Sequence, residues 1–204
     1  MKIRYFLIVL IIIIQSAIHP AFAEGSKFKD YNNANVIGSF HFEENSDQPA
    51  NTANASVKNI GGAHKNVLTL STSSSEAFAY FIFDKTINSG KLSVSYDVYS
   101  AQKNKEAYTR MLEGPYTTMT GDCIGHYFEG YIIRNIGVIQ MFNNTSWNVD
   151  NAPMIEYDAN RWYHVDMWFD FENRTASYYI DGELLGKTSM AKDFDQMRGF
   201  VHDM

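Results

Sequence analysis

Three ionisable side chains lie on one side of the alternating segment WYHVDMWFD, residues 162–170, whose every second position reads Trp, His, Asp, Trp, Asp. His164, Asp166 and Asp170 belong to this series. Paired carboxylates are the groups that glycoside hydrolysis needs, about 5–5.5 Å apart for retention or about 6.5–9.5 Å for inversion. On a strand that rises about 3.3 Å per residue, Asp166 and Asp170 would stand roughly 13 Å apart. That separation suits neither mechanism, so the series predicts a solvated or ion-paired strand face.

Carboxylates that could bind a metal ion occur early in the chain at Glu43, Glu44 and Asp47, and again at Asp181. Hard oxygen donors of this kind are what calcium requires. No loop has the dense alternating acids of an EF-hand. Calcium is therefore the one cofactor that the sequence suggests, with Glu43, Glu44 and Asp181 as candidate ligands.

Short strands separated by turns must position these side chains. Residues 160–189 alternate with a period of two, turn at Glu172–Arg174, and turn again at Asp181-Gly182, a strong hairpin signal. Residues 91–100 alternate equally clearly. Further strands are predicted at 36–42, 67–71, 77–83, 108–112, 127–135 and 138–142. The sequence therefore predicts an all-β fold, a two-sheet antiparallel sandwich or jelly roll.

Two segments carry weaker patterns. Residues 43–64 are rich in Asn, Ala, Ser and Gly, which favours a long loop or two weak edge strands separated by turns. The tail from Met190 to Met204 is weakly patterned.

The N-terminus resembles a targeting segment. It combines a basic start, an apolar run from Leu7 to Ile14, and the small-residue motif Ala21-Phe22-Ala23. This pattern predicts a secretory signal peptide over residues 1–23 and one domain over residues 24–204. The apolar run is short for a membrane span, which needs about 20 residues. We therefore expect a secreted, extracellular or periplasmic protein with no membrane span after cleavage.

The composition limits the partners. The net charge of −6 becomes −8 once Lys2 and Arg4 are removed with the signal peptide. An acidic exported chain is a poor partner for nucleic acid. Cys123 is the only cysteine, which rules out an intramolecular disulfide. Cys123 and His126 have a C-x-x-H spacing, but one such pair does not make a zinc site.

A family resemblance enters at R-W-Y-H-V (161–165) and F-E-N-R-T-A-S-Y-Y-I-D-G-E-L-L-G (171–186). These residues resemble the laminin G-like, concanavalin A-like lectin/glucanase superfamily. F-H-F-E (40–43) and L-S-V-S-Y-D-V-Y (92–99) look like its first and a central strand. The resemblance implies a two-sheet jelly roll, often with calcium and a sugar-binding concave face, and Trp162 as a packing tryptophan. It transfers the fold better than the function.

Two departures from the superfamily pattern matter. The glucanase arrangement Glu-x-Asp-x-x-Glu is missing. Members usually continue past the Y-I-D-G hairpin to a last strand. Here residues 199–204 either begin that strand or the fold lacks it, and a missing strand would leave a sheet edge unpaired.

A second candidate constellation is suited to lyase chemistry. Jelly-roll polysaccharide lyases use an arginine to neutralise a uronate carboxylate and a His/Tyr pair to move the proton. Y-T-R-M-L-E (108–113) and G-H-Y (125–127) resemble fragments of that pattern, with Ile124-Gly125-His126 in place of Gln-x-His. If the protein is a lyase, the catalytic set is Arg110, His126 and Tyr131. A strand-end Arg110 paired with Glu113 and a loop histidine is the structural alternative.

Aromatic residues in or beside loops offer a third type of site, because a ring can stack on a sugar while its polar tip stays wet. Trp147, in a polar loop, is the best candidate platform. Together with the charged residues, the predicted ligand-binding set is Arg110, Glu113, Tyr116, His126, Tyr127 and Trp147.

These observations favour a secreted, non-catalytic carbohydrate-binding domain, a lectin-like module whose partner is a polysaccharide or other glycan. Two alternatives stay open. One is a polysaccharide lyase or another glycan-degrading enzyme on the same fold. The other is a cell-surface adhesion or protein-interaction module.

Overall fold

A computed structural model describes residues 8–13, 42, 51–71, 77–103, 106–112, 129–134, 137–143, 153–190 and 194–202. Every regular element within these residues is a strand. In chain order the strands are β1 (Ile8–Ile13), β2 (Asn51–Ala53), β3 (Ala55–Gly61), β4 (Lys65–Leu70), β5 (Ala77–Ile87), β6 (Lys91–Ser100), β7 (Glu106–Leu112), β8 (Glu129–Arg134), β9 (Val138–Asn143), β10 (Met154–Glu156), β11 (Trp162–Asp170), β12 (Thr175–Ile180), β13 (Glu183–Ser189) and β14 (Phe194–His202).

The strands form two antiparallel sheets of seven strands each. The first sheet has the order β13-β12-β11-β6-β1-β4-β3, and the second has the order β10-β9-β8-β7-β14-β5-β2. The prediction of an all-β, two-sheet antiparallel jelly-roll sandwich is confirmed.

The core lies between the two sheets. Tyr96 and Met167 come from the first sheet, Phe81 and Met111 come from the second, and all four belong to one buried apolar cluster. On β11 the burial of alternate side chains follows the predicted period of two, since Tyr163, Val165, Met167 and Phe169 are all buried. Burying one face of each sheet against the other is what turns this pattern into a sandwich.

The clearest sequence patterns predicted their strands well. β6 matches the predicted range 91–100, and the segment 160–189 folds as β11, β12 and β13. Asp181 and Gly182 form the tight turn with φ values of 50° and 80°, the left-handed conformation that such a hairpin needs. Residues 43–64 include β2 and β3, which supports the interpretation as weak strands rather than a single loop.

The tail is more ordered than its pattern indicates. Residues 194–202 form β14, which pairs antiparallel with β5 on one side and with β7 on the other. The pairing partners come from distant parts of the chain, so a local pattern has no access to them. Residues 199–202 therefore belong to a strand that is paired on both sides, and the concern about an unpaired edge at this position does not apply.

The N-terminal segment also takes part in a sheet. Ile8–Ile13, inside the predicted signal peptide, pairs with β4 and β6. Removal of residues 1–23 would free the facing edges of those two strands. The pairing is no test of export, so the signal peptide stays a prediction. Among the described residues, no helix is long and apolar enough to cross a membrane. Of the predicted strand 36–42, only Phe42 is described, buried beside Phe81.

Candidate functional site

The side of β6 and β11 that faces away from the core carries a set of polar and aromatic side chains. In the antiparallel register, His164 is opposite Asp97, Asp166 is opposite Ser95, and Trp162 is opposite Tyr99. Because successive side chains point to opposite sides of a strand, these six share one face. We call this set of residues the outer face: Ser95, Asp97, Tyr99, Trp162, His164 and Asp166.

His164 bridges two carboxylates on the outer face. Its Nδ1 lies 2.7 Å from Asp97 Oδ1, and its Nε2 lies 3.5 Å from Asp166 Oδ1. The Ser95 hydroxyl donates a hydrogen bond to Asp166 Oδ1. The side chains of Asp97 and Asp166 are only 8% and 4% exposed, whereas that of His164 is 39% exposed. Buried charges need partners, and the imidazole supplies one to both carboxylates.

The two carboxylates keep His164 charged. Burial of the ring opposes its charge and lowers the pKa. Hydrogen bonds to Asp166 and Asp97, together with the negative charges of these residues, outweigh that effect and raise the pKa of His164 from 6.5 to about 10. The histidine is therefore an imidazolium at neutral pH. With both aspartates ionised, this triad carries one net negative charge.

An aromatic group borders the triad. The His64 ring stacks on Trp162, with ring centroids 3.9 Å apart and planes inclined by 23°. The Tyr99 ring lies beside the same indole, with ring centroids 5.3 Å apart and planes inclined by 45°. The Tyr99 hydroxyl donates to Asn160 Oδ1 at 2.9 Å. His64 Nδ1 is also 3.5 Å from Asp97 Oδ2. The aromatic group and the charged triad therefore meet at Asp97 and Trp162.

Trp162 does not have the packing role that the family resemblance implies. It is half-buried, while the neighbouring Tyr163 is buried in the core. The alternation along β11 explains the difference. Trp162 lies on the same side of the strand as His164, whereas Tyr163 lies on the buried side with Val165. The tryptophan of the R-W-Y-H-V motif is therefore part of the outer face.

Asp181, one of the predicted calcium ligands, holds the β12–β13 hairpin against β11. Its Oδ2 is 2.6 Å from Arg161 Nη2, and its Oδ1 accepts a hydrogen bond from the His164 backbone N–H at 2.9 Å. Both oxygens therefore have protein partners. Among the described residues, no group of three or more His, Cys, Asp or Glu side chains is arranged to hold a metal ion. Glu43 and Glu44 lie outside the described residues, so calcium binding stays a prediction.

Asp170, at the end of the same strand, stabilises the following turn. Its carboxylate accepts hydrogen bonds from the backbone N–H groups of Glu172 and Asn173 and from the Asn173 side chain. These bonds from Asn173, with the nearby charge of Lys91, lower the pKa of Asp170. Lys91 Nζ is 3.8 Å from Asp170 Oδ2. The predicted ion-paired strand face is therefore present, and Asp170 serves the turn.

The arrangement is suited to binding more than to acid–base catalysis. An imidazolium with a pKa of about 10 cannot accept a proton at neutral pH, and a general base works best with a pKa near the operating pH. Asp97 and Asp166 are nearly inaccessible and already bound to His164. The accessible groups are the aromatic rings and the polar side chains around them.

Five of the ligand-binding residues predicted from the sequence cannot be placed relative to the outer face. Glu113, Tyr116, His126, Tyr127 and Trp147 lie outside the described residues, and they stay predictions.

Arg110 and Tyr131 lie on neighbouring strands of the second sheet. Arg110 of β7 pairs with Gly130 of β8, whereas Tyr131 pairs with Thr109. The two residues are one register position apart, and adjacent positions belong to opposite faces of a sheet. The backbone register therefore does not bring Arg110 and Tyr131 onto one face, as the lyase set would require.

Sequence reasoning missed Asp97, Tyr99 and His64 as members of a site. Asp97 and Tyr99 were visible as the polar side of the 91–100 alternation, which is a usable signal. No local signal connects them to His164, because the contact spans 67 positions. His64 sits in a Gly-rich turn, where its neighbours indicate only a loop.

Comparison with known proteins gives fold similarity only. No protein-family model and no curated protein matches the chain. Similar solved structures include a sialidase, with a TM-score of 0.44 and 16% identity over 66% of this chain. They also include the carbohydrate-binding module CBM66 from Bacillus subtilis (TM-score 0.42, 12% identity, 74% of this chain and 86% of that chain). A third is a β-glucanase from Bacillus licheniformis (TM-score 0.42, 14% identity, 83% and 81%). The chain spans 12% of the sialidase.

Proposed function

We propose that the protein is a non-catalytic carbohydrate-binding domain whose ligand docks on the outer face at Trp162. The observation that carries this proposal is the aromatic group of Trp162, His64 and Tyr99 placed against the Asp97 carboxylate. An aromatic ring offers a flat apolar surface to the C–H face of a sugar, and polar groups at its edge bind the hydroxyls.

The charge of the outer face favours a neutral sugar. Asp97, Asp166 and the imidazolium of His164 sum to one negative charge, and the whole chain carries −6. A polyanionic glycan would be repelled unless a bound cation intervened. The ion pair of Arg161 with Asp181 adds no net charge at the rim. A neutral glycan needs only hydroxyl partners, and the exposed Asn160, which accepts the Tyr99 hydroxyl at the edge of the aromatic group, is suited to that role.

Several further statements belong to this proposal. Export through residues 1–23 would expose the protein to extracellular or periplasmic glycans, and intact-mass measurement of the exported protein checks the predicted mature chain that begins at Glu24. Cleavage would remove β1 from between β4 and β6, so the position of His64 beside Trp162 is that of the chain with β1 in the sheet. Asp97, Tyr99 and Trp162 do not depend on β1, because they lie on β6 and β11, which pair directly. Assignment to the laminin G-like branch rests on the 160–188 pattern. The acidic chain supports the expectation that nucleic acid is not a partner.

A glycan array with neutral and uronate-containing oligosaccharides, with and without calcium, tests the function. We expect wild-type protein to bind neutral glycans, Trp162→Ala to lose that binding, and Leu184→Ala to retain it. Leu184 is a matched control, because it is an exposed apolar side chain on β13 of the same sheet. Unchanged binding by Trp162→Ala, a preference for uronates, or no glycan binding at all would refute the proposal. Release of unsaturated products from uronate glycans would favour the lyase.

A further inference from the structure

His64 lies at the tip of the β3–β4 hairpin, whose stem and tip differ in how they are held. In the stem, the Asn59 and Asn66 side chains are hydrogen-bonded at 2.9 Å, and Asn59 Oδ1 accepts from the Gly61 N–H at 3.0 Å. At the tip, Gly61 and Gly62 have φ values of 70° and 66°, and a Cβ added to either would meet nothing within 4 Å. The tip is therefore unpacked at the two glycines that precede His64.

His64 makes the two contacts that a docked sugar would make at this site. Its ring covers Trp162 at 3.9 Å, where the face of a pyranose would stack. Its Nδ1 lies 3.5 Å from Asp97 Oδ2, where a hydroxyl would donate. Asp97 Oδ1 is already held by His164, so Oδ2 is the carboxylate oxygen that remains for a ligand. The imidazole and a sugar would therefore compete for the same surface.

We infer that His64 is an internal occupant of the carbohydrate site, and that the ligand binds by displacing it from Trp162 and Asp97. This inference rests on the proposed function, because it concerns the same surface. The glycines give the tip the backbone freedom to swing away, while the asparagine pair keeps the stem registered. The His64 side chain is 22% exposed, and its contact with the indole is a single ring stack, which a sugar face stacking on the same indole can replace. Binding affinity is then lowered by the cost of opening the tip.

The stacking of His64 on Trp162 can be measured without any ligand. Labelling with 5-fluorotryptophan gives one ¹⁹F resonance for each of the three tryptophans of the chain, and Trp162→Phe identifies that of Trp162. We expect His64→Ala to shift the ¹⁹F resonance of Trp162. We also expect it to make the Trp162 indole more accessible to a neutral quencher of tryptophan fluorescence. Lys58→Ala, an exposed change on β3 of the same hairpin, is the control and should leave the resonance unchanged. An unshifted Trp162 resonance in His64→Ala would overturn the inference and leave the proposed function standing.

Titration calorimetry with cellohexaose, laminarihexaose and maltohexaose tests the competition. For the hexaose that wild-type protein binds, we expect His64→Ala to bind roughly two- to tenfold more tightly, on the scale of one weak surface contact. Weaker binding by His64→Ala would show that the imidazole is part of the binding surface, which refutes displacement but not the function. Loss of binding in Trp162→Ala, with binding retained in wild type and in His64→Ala, supports the proposed function. Absence of binding in wild type and His64→Ala alike would overturn both.

Discussion

The inner and outer faces of β6 and β11 share one register and meet different physical demands. On the inner face, Val94, Met167 and Phe169 are almost completely buried among other apolar side chains. On the outer face, Asp97 and Asp166 are nearly as buried, but each must be matched by a specific partner. A hydrophobic contact depends on volume and area, whereas a buried carboxylate depends on the position of a donor within a few tenths of an ångström.

This difference determines what each face can tolerate. The inner face can exchange one apolar side chain for another of similar volume at small cost. The outer face cannot exchange His164 in the same way, because its ring contacts two carboxylates with opposite nitrogens. The inner face therefore determines the stability of the sandwich, and the outer face determines which chemical groups are presented at fixed positions.

The largest loss of stability should come from the inner face. Phe169→Ala removes a side chain that is 1% exposed and leaves a cavity, so the free energy of unfolding should fall by about 3–5 kcal/mol. Urea denaturation followed by circular dichroism measures it. Phe169→Leu should lose less, because part of the volume is retained. If Phe169→Ala lost less than the outer-face variants, the inner face would not dominate stability.

On the outer face, His164→Ala should lower the free energy of unfolding by about 1–3 kcal/mol. Breaking a fully buried pair typically costs about 3–5 kcal/mol, but His164 is 39% exposed, so water would solvate part of the freed charge. In a double-mutant cycle with Asp97→Asn, the two losses should be less than additive, since the variants remove one shared interaction. Additive losses would show that the two residues do not interact.

The pH dependence of stability should distinguish the two faces. The pKa of His164 rises from 6.5 to about 10 on folding. Its contribution is therefore fully present below pH 6.5 and is lost as the pH rises towards 10. Wild-type protein should lose stability between pH 7 and pH 10 relative to His164→Gln, and subtracting the variant removes the effect of the lysines and tyrosines. NMR titration of the imidazole should give a pKa well above 7. Parallel pH profiles for both proteins would contradict the charged triad.

The sequence allowed the inner face to be predicted more completely than the outer face. Alternation identified β6 and β11 and the buried parity of Tyr163, Val165 and Met167, because core burial follows the two-residue period. The outer face depends on which strand lies beside β11 and in what register. His164 meets Asp97 through a pairing that spans 67 positions, and His64 reaches Trp162 through a turn. Neither contact can be recognised from the spacing of residues within one segment. For this reason His164 and Asp166 were expected to be only part of a paired or solvated strand face.

The smallest effect should come from the rim of the outer face. Arg161 and Asp181 form an ion pair at 2.6 Å, with side chains 54% and 37% exposed. Exposed pairs contribute about 0–1 kcal/mol, so Arg161→Ala should change the free energy of unfolding by no more than that, and raising the salt concentration should reduce the change further. Asp181→Ala should cost more, because Asp181 also accepts the His164 backbone N–H and has a φ of 50°. Urea denaturation at low and high salt compares the two variants. Suppose that Arg161→Ala lowered the free energy of unfolding as much as His164→Ala does. The exposed Arg161–Asp181 pair would then contribute as much as the buried charges of the outer face, and the contrast between buried and exposed charges would be wrong.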